Sequence, residues 1–223
     1  MYQDVACANG SGYSAAEYGL PPPVFTVMTS LIASGIESGR QSLQALAGLS
    51  TGSLHFLRRR SRHGSWLASL VRDIKTFREK RVYRMQPFYL KSVLRSLGYS
   101  YDRFVALPAA KYDGLVERLC ERDAGILAQL QRKRPSTGLI TLALAIDQNR
   151  YQRFILSGFS FELTHPYAHN PEIKERGTAA SQHADTDILV ISYLAKKQHN
   201  IFTTEHSVHQ RAGVPYLPMA VEG

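Results

Sequence analysis

Residues 134–167 read RPSTGLITLALAIDQNRYQRFILSGFSFELTHPY, the pattern of one helix feeding one buried strand that stops at a glycine. Arg134-Pro135-Ser136-Thr137-Gly138 is a polar start. Its hydroxyls can cap a helix, and a helical N-terminus can receive an anion. The run 139–146 is so apolar that this helix is expected to be buried on most sides. Residues 153–156 read as a short inner strand, and Ser157-Gly158 opens the loop beyond its carboxyl end. Ligands of open α/β sheets sit in the crevice at that edge. The chemistry is therefore expected around Ser136, Thr137 and Gly158.

On the N-terminal side, residues 4–8 (DVACA) predict a first strand that runs into Asn9-Gly10-Ser11-Gly12 and a helix at 14–18. Such a turn lets backbone amides approach a phosphate or ribose, although NGSG is also an ordinary turn. The rigid Leu20-Pro21-Pro22-Pro23 delivers a second strand at 24–28. A helix at 41–49 and a third strand at 54–57 follow. Helical spacing recurs at 65–80, 87–97 and 109–131, so residues 58–131 read as a mainly helical insertion or lid. On the C-terminal side come a polar loop at 165–180, a helix at 181–197 and a strand at 200–204. A long structureless loop in a compact fold is more often functional than accidental. Alternating strands and helices predict an α/β fold, a single Rossmann-like nucleotide-binding domain with a mainly parallel sheet flanked by helices.

With 223 residues and no internal repeat, one domain is expected. Two cysteines, Cys7 and Cys120, are too few for a disulfide framework and fit a reducing, cytoplasmic compartment. MYQDVACANG lacks a basic segment followed by an apolar core, so no signal peptide is expected. No apolar run approaches the ~18–20 residues of a membrane span. The net charge of +9 implies either a solvated basic surface or an anionic partner. Arg58-Arg59-Arg60-Ser61-Arg62-His63, followed by Trp66, suits peripheral contact with anionic lipid headgroups at the inner face of a membrane. No nucleic-acid-binding motif is present, so nucleic acid is not an expected partner.

His183, in SQHADTD, is a candidate general base, with Asp185 or Asp187 able to orient it, though a histidine there can equally be a surface or capping residue. Asp185 and Asp187 do not form a metal pair. Two residues apart on a helix they point about 200° away from each other. His206-Ser207-Val208-His209 lacks further ligands at zinc spacing and reads as loop and surface. Cys120, beside Leu119, reads as core.

Taken in order, these segments resemble the bacterial lipooligosaccharide-type sialyltransferases, glycosyltransferase family forty-two. The resemblance is carried by Arg134-Pro135-Ser136-Thr137-Gly138, by Ile155-Leu156-Ser157-Gly158-Phe159-Ser160-Phe161, by Tyr167-Ala168, and by His183 ahead of Thr186-Asp187. Ala8-Asn9-Gly10-Ser11 is similar to the family's nucleotide loop. The chain differs at Ser160, where an aspartate is usual, and at Glu162, where an aromatic hydroxyl is usual.

The resemblance implies a GT-A-like variant of the nucleotide-binding fold and an inverting, metal-independent transfer from a CMP-activated sialic acid to a glycan or glycolipid hydroxyl. No cofactor or metal is implied beyond the CMP-sugar donor. Asn9, Gly10 and Ser11 would lie near the cytidine nucleotide. Ser136, Thr137 and Gly138, with Arg134 close by, would lie near the donor sugar and its carboxylate. Ser157, Gly158 and Phe159 would line the nucleotide site. Tyr167 would hydrogen-bond the leaving phosphate, and His183 would deprotonate the acceptor. A homo-oligomer is compatible with this reading. The rival readings are another nucleotide-using enzyme of related fold, such as a different nonulosonic-acid transferase or a pyrophosphokinase, and a catalytically inactive nucleotide- or glycan-binding protein.

Overall fold

β-branched and apolar runs alternate with helical ones along the chain, and in the computed structural model each strand pairs in parallel with its neighbour. The structure describes residues 4–29, 32, 37–58, 86–159, 161, 181–197 and 200–218. It comprises two compact units, Met1–Lys111 and Tyr112–Gly223.

The first unit is built from β1 (Ala6–Ala8), α1 (Gly12–Glu17), β2 (Phe25–Thr29), α2 (Glu37–Gln44), β3 (Ser50–Arg58), α3 (Gln86–Ser96) and β4 (Ser100–Pro108). Its sheet runs β1-β2-β3-β4, every pair parallel, with Val27 opposite His55 and His55 opposite Val105. Phe25, Thr26, Val27 and Met28 of β2 are all buried, as expected of an inner strand covered on both faces. Met28, Leu46, Leu54, Phe56, Leu90 and Leu94 form the core between sheet and helices. Full burial of each is worth ~1.5–3 kcal/mol. The expected helix at 41–49 begins and ends earlier, as α2. β4 fills the stretch between two expected helices. Among the described residues it pairs with β3, and its first half carries the exposed Asp102 and Arg103, so only the short apolar run 104–107 is there for a sequence reading to detect. A chain of neutral groups crosses the buried layer. Tyr99 donates to Thr26 (3.5 Å), Thr26 to Thr51 (3.0 Å), and Thr51 to the Pro23 carbonyl (3.0 Å).

The second unit takes up most of α4 (Ala109–Leu119), then α5 (Ala124–Arg132), α6 (Thr137–Asp147), β5 (Phe154–Leu156), α7 (Ala184–Lys196), β6 (Ile201–Thr203) and α8 (His206–Ala212). β5 and β6 form a two-stranded parallel sheet. Leu139, Leu142, Ala143 and Ile146 of α6 pack with Val190, Ile191 and Leu194 of α7 and Ile201 of β6 in one core. α6 is buried on most sides, as its composition requires.

Two expectations are corrected here and one is made finer. The helical region at 109–131 is two helices, separated where Glu121 and Arg122 take positive φ (51° and 56°) and Asp123 caps α5 by accepting the Ile126 amide at 3.0 Å. The strand at 153–156 is not buried throughout: Leu156 is, but Ile155 is 45 % exposed. Residues 206–209 are the start of α8 rather than a loop. The surface part of that expectation holds, since both histidines are exposed. His206 stacks on Tyr216, and the His209 Nδ1–H reaches the Val214 carbonyl at 2.8 Å.

Among the described residues no helix is long and apolar enough to cross a membrane. The expected helix at 65–80, the polar loop at 165–180, Tyr167, Ser160, Glu162 and Trp66 lie outside the described residues.

Candidate functional site

Pro135 breaks the chain between α5 and α6, and its ring leaves the backbone extended with no amide hydrogen to donate. The flanking residues are extended too: Lys133 has φ −137° and ψ 136°, and Ser136 has φ −68° and ψ 166°. Residues 133–136 thus form a strap whose polar backbone groups need partners outside a helix or sheet.

Helix α7 supplies those partners from one face. The His183 ring places Nδ1 2.8 Å from the Arg134 carbonyl oxygen. Thr186 donates to the Lys133 carbonyl (3.3 Å) and accepts from the Gln129 side-chain amide (3.1 Å). Asp187 accepts the Ser136 amide at 2.9 Å. Positions 183, 186 and 187 fall together because residues three and four apart share a helix face.

The first of these contacts sets the chemistry of the imidazole. A carbonyl oxygen can only accept, so Nδ1 carries the hydrogen, and in the neutral ring Nε2 then holds the lone pair. The Gln182 side-chain amide nitrogen, 3.3 Å from Nε2, fits the same tautomer. His183 is partly exposed at the N-cap of α7, so Nε2 remains within reach of a solute.

Ser136 caps α6 as the sequence predicts, its hydroxyl accepting the Leu139 amide at 3.1 Å. Thr137 is the first helical residue, and its carbonyl accepts the Thr141 hydroxyl at 2.9 Å. Gly138 lies under the Phe159 ring. A Cβ there would stand 2.6 Å from the ring Cζ, so no larger residue fits without moving the phenyl group. Phe159 packs edge-on to Phe161, whose carbonyl accepts the Ser181 amide at 3.0 Å. The loop after β5 is thereby tied to the residues that lead into His183.

Charge enters this neighbourhood in buried form. Arg134 Nε lies 3.6 Å from the carboxylate of Asp113, a residue buried on α4. Asp187 is almost wholly buried, and that burial pushes its carboxyl up to about 6, against the opposing pull of the Ser136 hydrogen bonds and the nearby His183. Asp185 is exposed, so the two aspartates diverge as helical geometry requires.

The structure thus brings Arg134, Ser136, Thr137, Gly138, Phe159 and His183 together. Ser157 is exposed, and Gly158 (φ 73°) donates its amide to Glu205 at 2.8 Å. Asn9, Gly10 and Ser11 belong to the first unit. Asn9 takes φ 52°, donates its amide to Val27 (2.7 Å) and accepts the Thr29 amide on Oδ1 (3.1 Å). Ser11 Oγ accepts the Ala8 amide at 2.9 Å. This turn therefore uses its side chains to join the carboxyl ends of β1 and β2.

Asp113, Gln129, Thr186 and Glu205 are partners that sequence reasoning missed, and it gave Asp187 no role towards Ser136. Only Thr186 and Asp187 carried a readable signal, their spacing of three and four from His183. A cavity of about 230 Å³ in the first unit, bordered by Pro21, Pro22, Pro23, Leu49 and Tyr99, contains none of the expected site residues.

Comparison with protein-family models, with curated proteins and with solved structures finds no match to this chain.

Proposed function

We propose that this chain is an inverting, metal-independent glycosyltransferase. It moves sialic acid or a related nonulosonic acid from a CMP-sugar to a glycan hydroxyl, and His183 is its general base. The observation that carries this reading is the pairing of His183 Nδ1 with the Arg134 carbonyl, which leaves Nε2 as the basic nitrogen. A base of this kind must be neutral, held in one tautomer and reachable by solutes, and His183 meets the last two requirements by geometry.

In the reaction the acceptor hydroxyl displaces Gln182 from Nε2 and gives its proton to that nitrogen. The oxygen bonds to the anomeric carbon as the bond to the CMP phosphate breaks, and CMP leaves as a phosphate monoester. Attack on the face opposite the leaving group inverts the anomeric centre, through an oxocarbenium-like state. Arg134, held by Asp113, supplies fixed positive charge beside the capped start of α6, where the donor carboxylate would sit. The finer fold assignment rests on the same footing. The parallel four-stranded sheet flanked by helices, with the Asn9 turn leading from β1 into α1, supports a Rossmann-like reading of the first unit.

The test is release of CMP from CMP-sialic acid by the purified chain, in EDTA, with and without a lactose-type acceptor. Acceptor-stimulated release is the expected result. Release that needs added Mg²⁺ would favour the pyrophosphokinase-like rival. CMP binding without donor consumption would favour an inactive binding protein.

A further inference from the structure

Asp187 is a buried carboxyl group that the transfer steps above do not use. It lies one helical turn beyond His183, and the two side chains hold the same strap from one helix face. His183 holds the Arg134 carbonyl and Asp187 holds the Ser136 amide. Thr186 secures the Lys133 carbonyl from the same face. With no amide hydrogen on Pro135, the strap cannot slide by one residue and keep the same bonds.

A neutral acceptor, asparagine or serine, would satisfy the Ser136 amide with less desolvation than a buried carboxylate. A carboxylate in that position gains its advantage when a cation forms nearby. Proton transfer to Nε2 creates such a cation, because the ring then carries hydrogens on both nitrogens. Asp187 interacts electrostatically with His183 across one helical turn.

We propose that Asp187 is a positioning residue for the His183 base. Through Ser136 it fixes the strap whose Arg134 carbonyl sets the imidazole tautomer, and its charge steadies the imidazolium formed on proton transfer. The second half rests on the transferase reading, and the first half stands without it. Asp187 takes no proton in the step. The proton moves from the acceptor oxygen to Nε2 and leaves to water after CMP departs.

The experiment reads the ring-nitrogen NMR shifts of His183 in the full-length chain labelled with ¹⁵N-histidine, alongside kcat and KM for CMP release. His183→Asn assigns the signals by their loss. The wild-type ring is expected as the Nδ1–H tautomer. Asp187→Asn keeps an oxygen for the Ser136 amide, so it should keep that tautomer, with kcat down about tenfold and KM within about twofold. Asp187→Ala should lose the fixed tautomer and ~100-fold in kcat.

A folded Asp187→Ala protein with the wild-type tautomer would overturn the inference, as would an Asp187→Asn protein with unchanged kcat. If Asp187→Ala does not fold, Asp187→Asn decides: a retained tautomer with lowered kcat supports the inference, and a lost tautomer overturns it. A wild-type chain that releases no CMP would remove the transferase reading and the charge argument with it. The ring shifts of the alanine and asparagine variants would still decide the tautomer half.

Discussion

In the first unit, Thr26, Thr51 and Tyr99 pass a chain of neutral hydroxyl bonds across the buried layer, and Asn9 ties the ends of two strands with an amide oxygen. The second unit has the same task, to satisfy backbone groups of an irregular segment. There it falls to His183 and Asp187 together with the neutral Thr186, with an Arg134–Asp113 pair alongside. Neutral groups are the cheaper solution for structure alone, because a buried charge loses hydration that a single hydrogen bond does not restore. Titratable side chains where neutral ones would serve are the signal of a candidate site for protons or charged ligands, one that structural ion-pair networks also give. The difference sets titratable groups at the irregular segment of the second unit, whereas the Asn9 turn of the first joins two strand ends through neutral groups.

The comparison can be broken first through pH. Burial raises the Asp187 carboxyl from 3.8 to about 6, so the folded chain holds that proton more tightly than the unfolded chain. Stability from this group is full below the lower value and is lost as pH rises through the upper one, on the order of 3 kcal/mol in all. Asp187→Asn has no such titration. Its urea-unfolding free energy relative to wild type should therefore climb from about pH 4 to pH 7 and then level off. A relative stability that falls over that window would mean that hydrogen bonding, not burial, governs the carboxylate.

Gly138→Ala is next in size. Its new methyl group meets the Phe159 ring, and overpacking of this kind costs ~1–3 kcal/mol. Phe159→Leu in the same chain should recover at least half of the loss, as judged by thermal unfolding. No recovery would show that the ring does not rest where the geometry puts it. The smallest effect belongs to the neutral region. Asn9→Ala removes the acceptor of the Thr29 amide and places alanine at positive φ, for ~1–2 kcal/mol. The slope of its stability with pH should match wild type, which is the contrast with Asp187.

Much of the fold was legible because the hydrophobic pattern matched the elements. The buried α6, the inner strand β2 and the cap at Ser136 follow from apolar runs and one well-placed hydroxyl. β4 was not legible, since Asp102 and Arg103 interrupt it on the surface and leave only the short apolar run 104–107 to announce it. α8 was signalled only by Gly213, whose φ of 67° closes the helix, while its two histidines suggested surface loop. For the site, the spacing of His183 and Asp187 was readable but their shared target was not. The strap at residues 133–136 is recognised only when the tertiary fold lays it along α7. Partners such as Asp113 and Glu205 are distant in sequence from the groups they hold, and no local pattern encodes them.

The central claim is that His183 Nε2 takes the acceptor's proton. Its most direct test is His183→Asn in the CMP-release assay, because the asparagine side-chain amide can replace the Nδ1–H donor to the Arg134 carbonyl while removing the base. The account predicts wild-type thermal stability and CMP affinity, with acceptor-dependent release at least ~100-fold slower. Release at the wild-type rate from a fully folded variant would contradict it and leave His183 as a clamp on the strap alone.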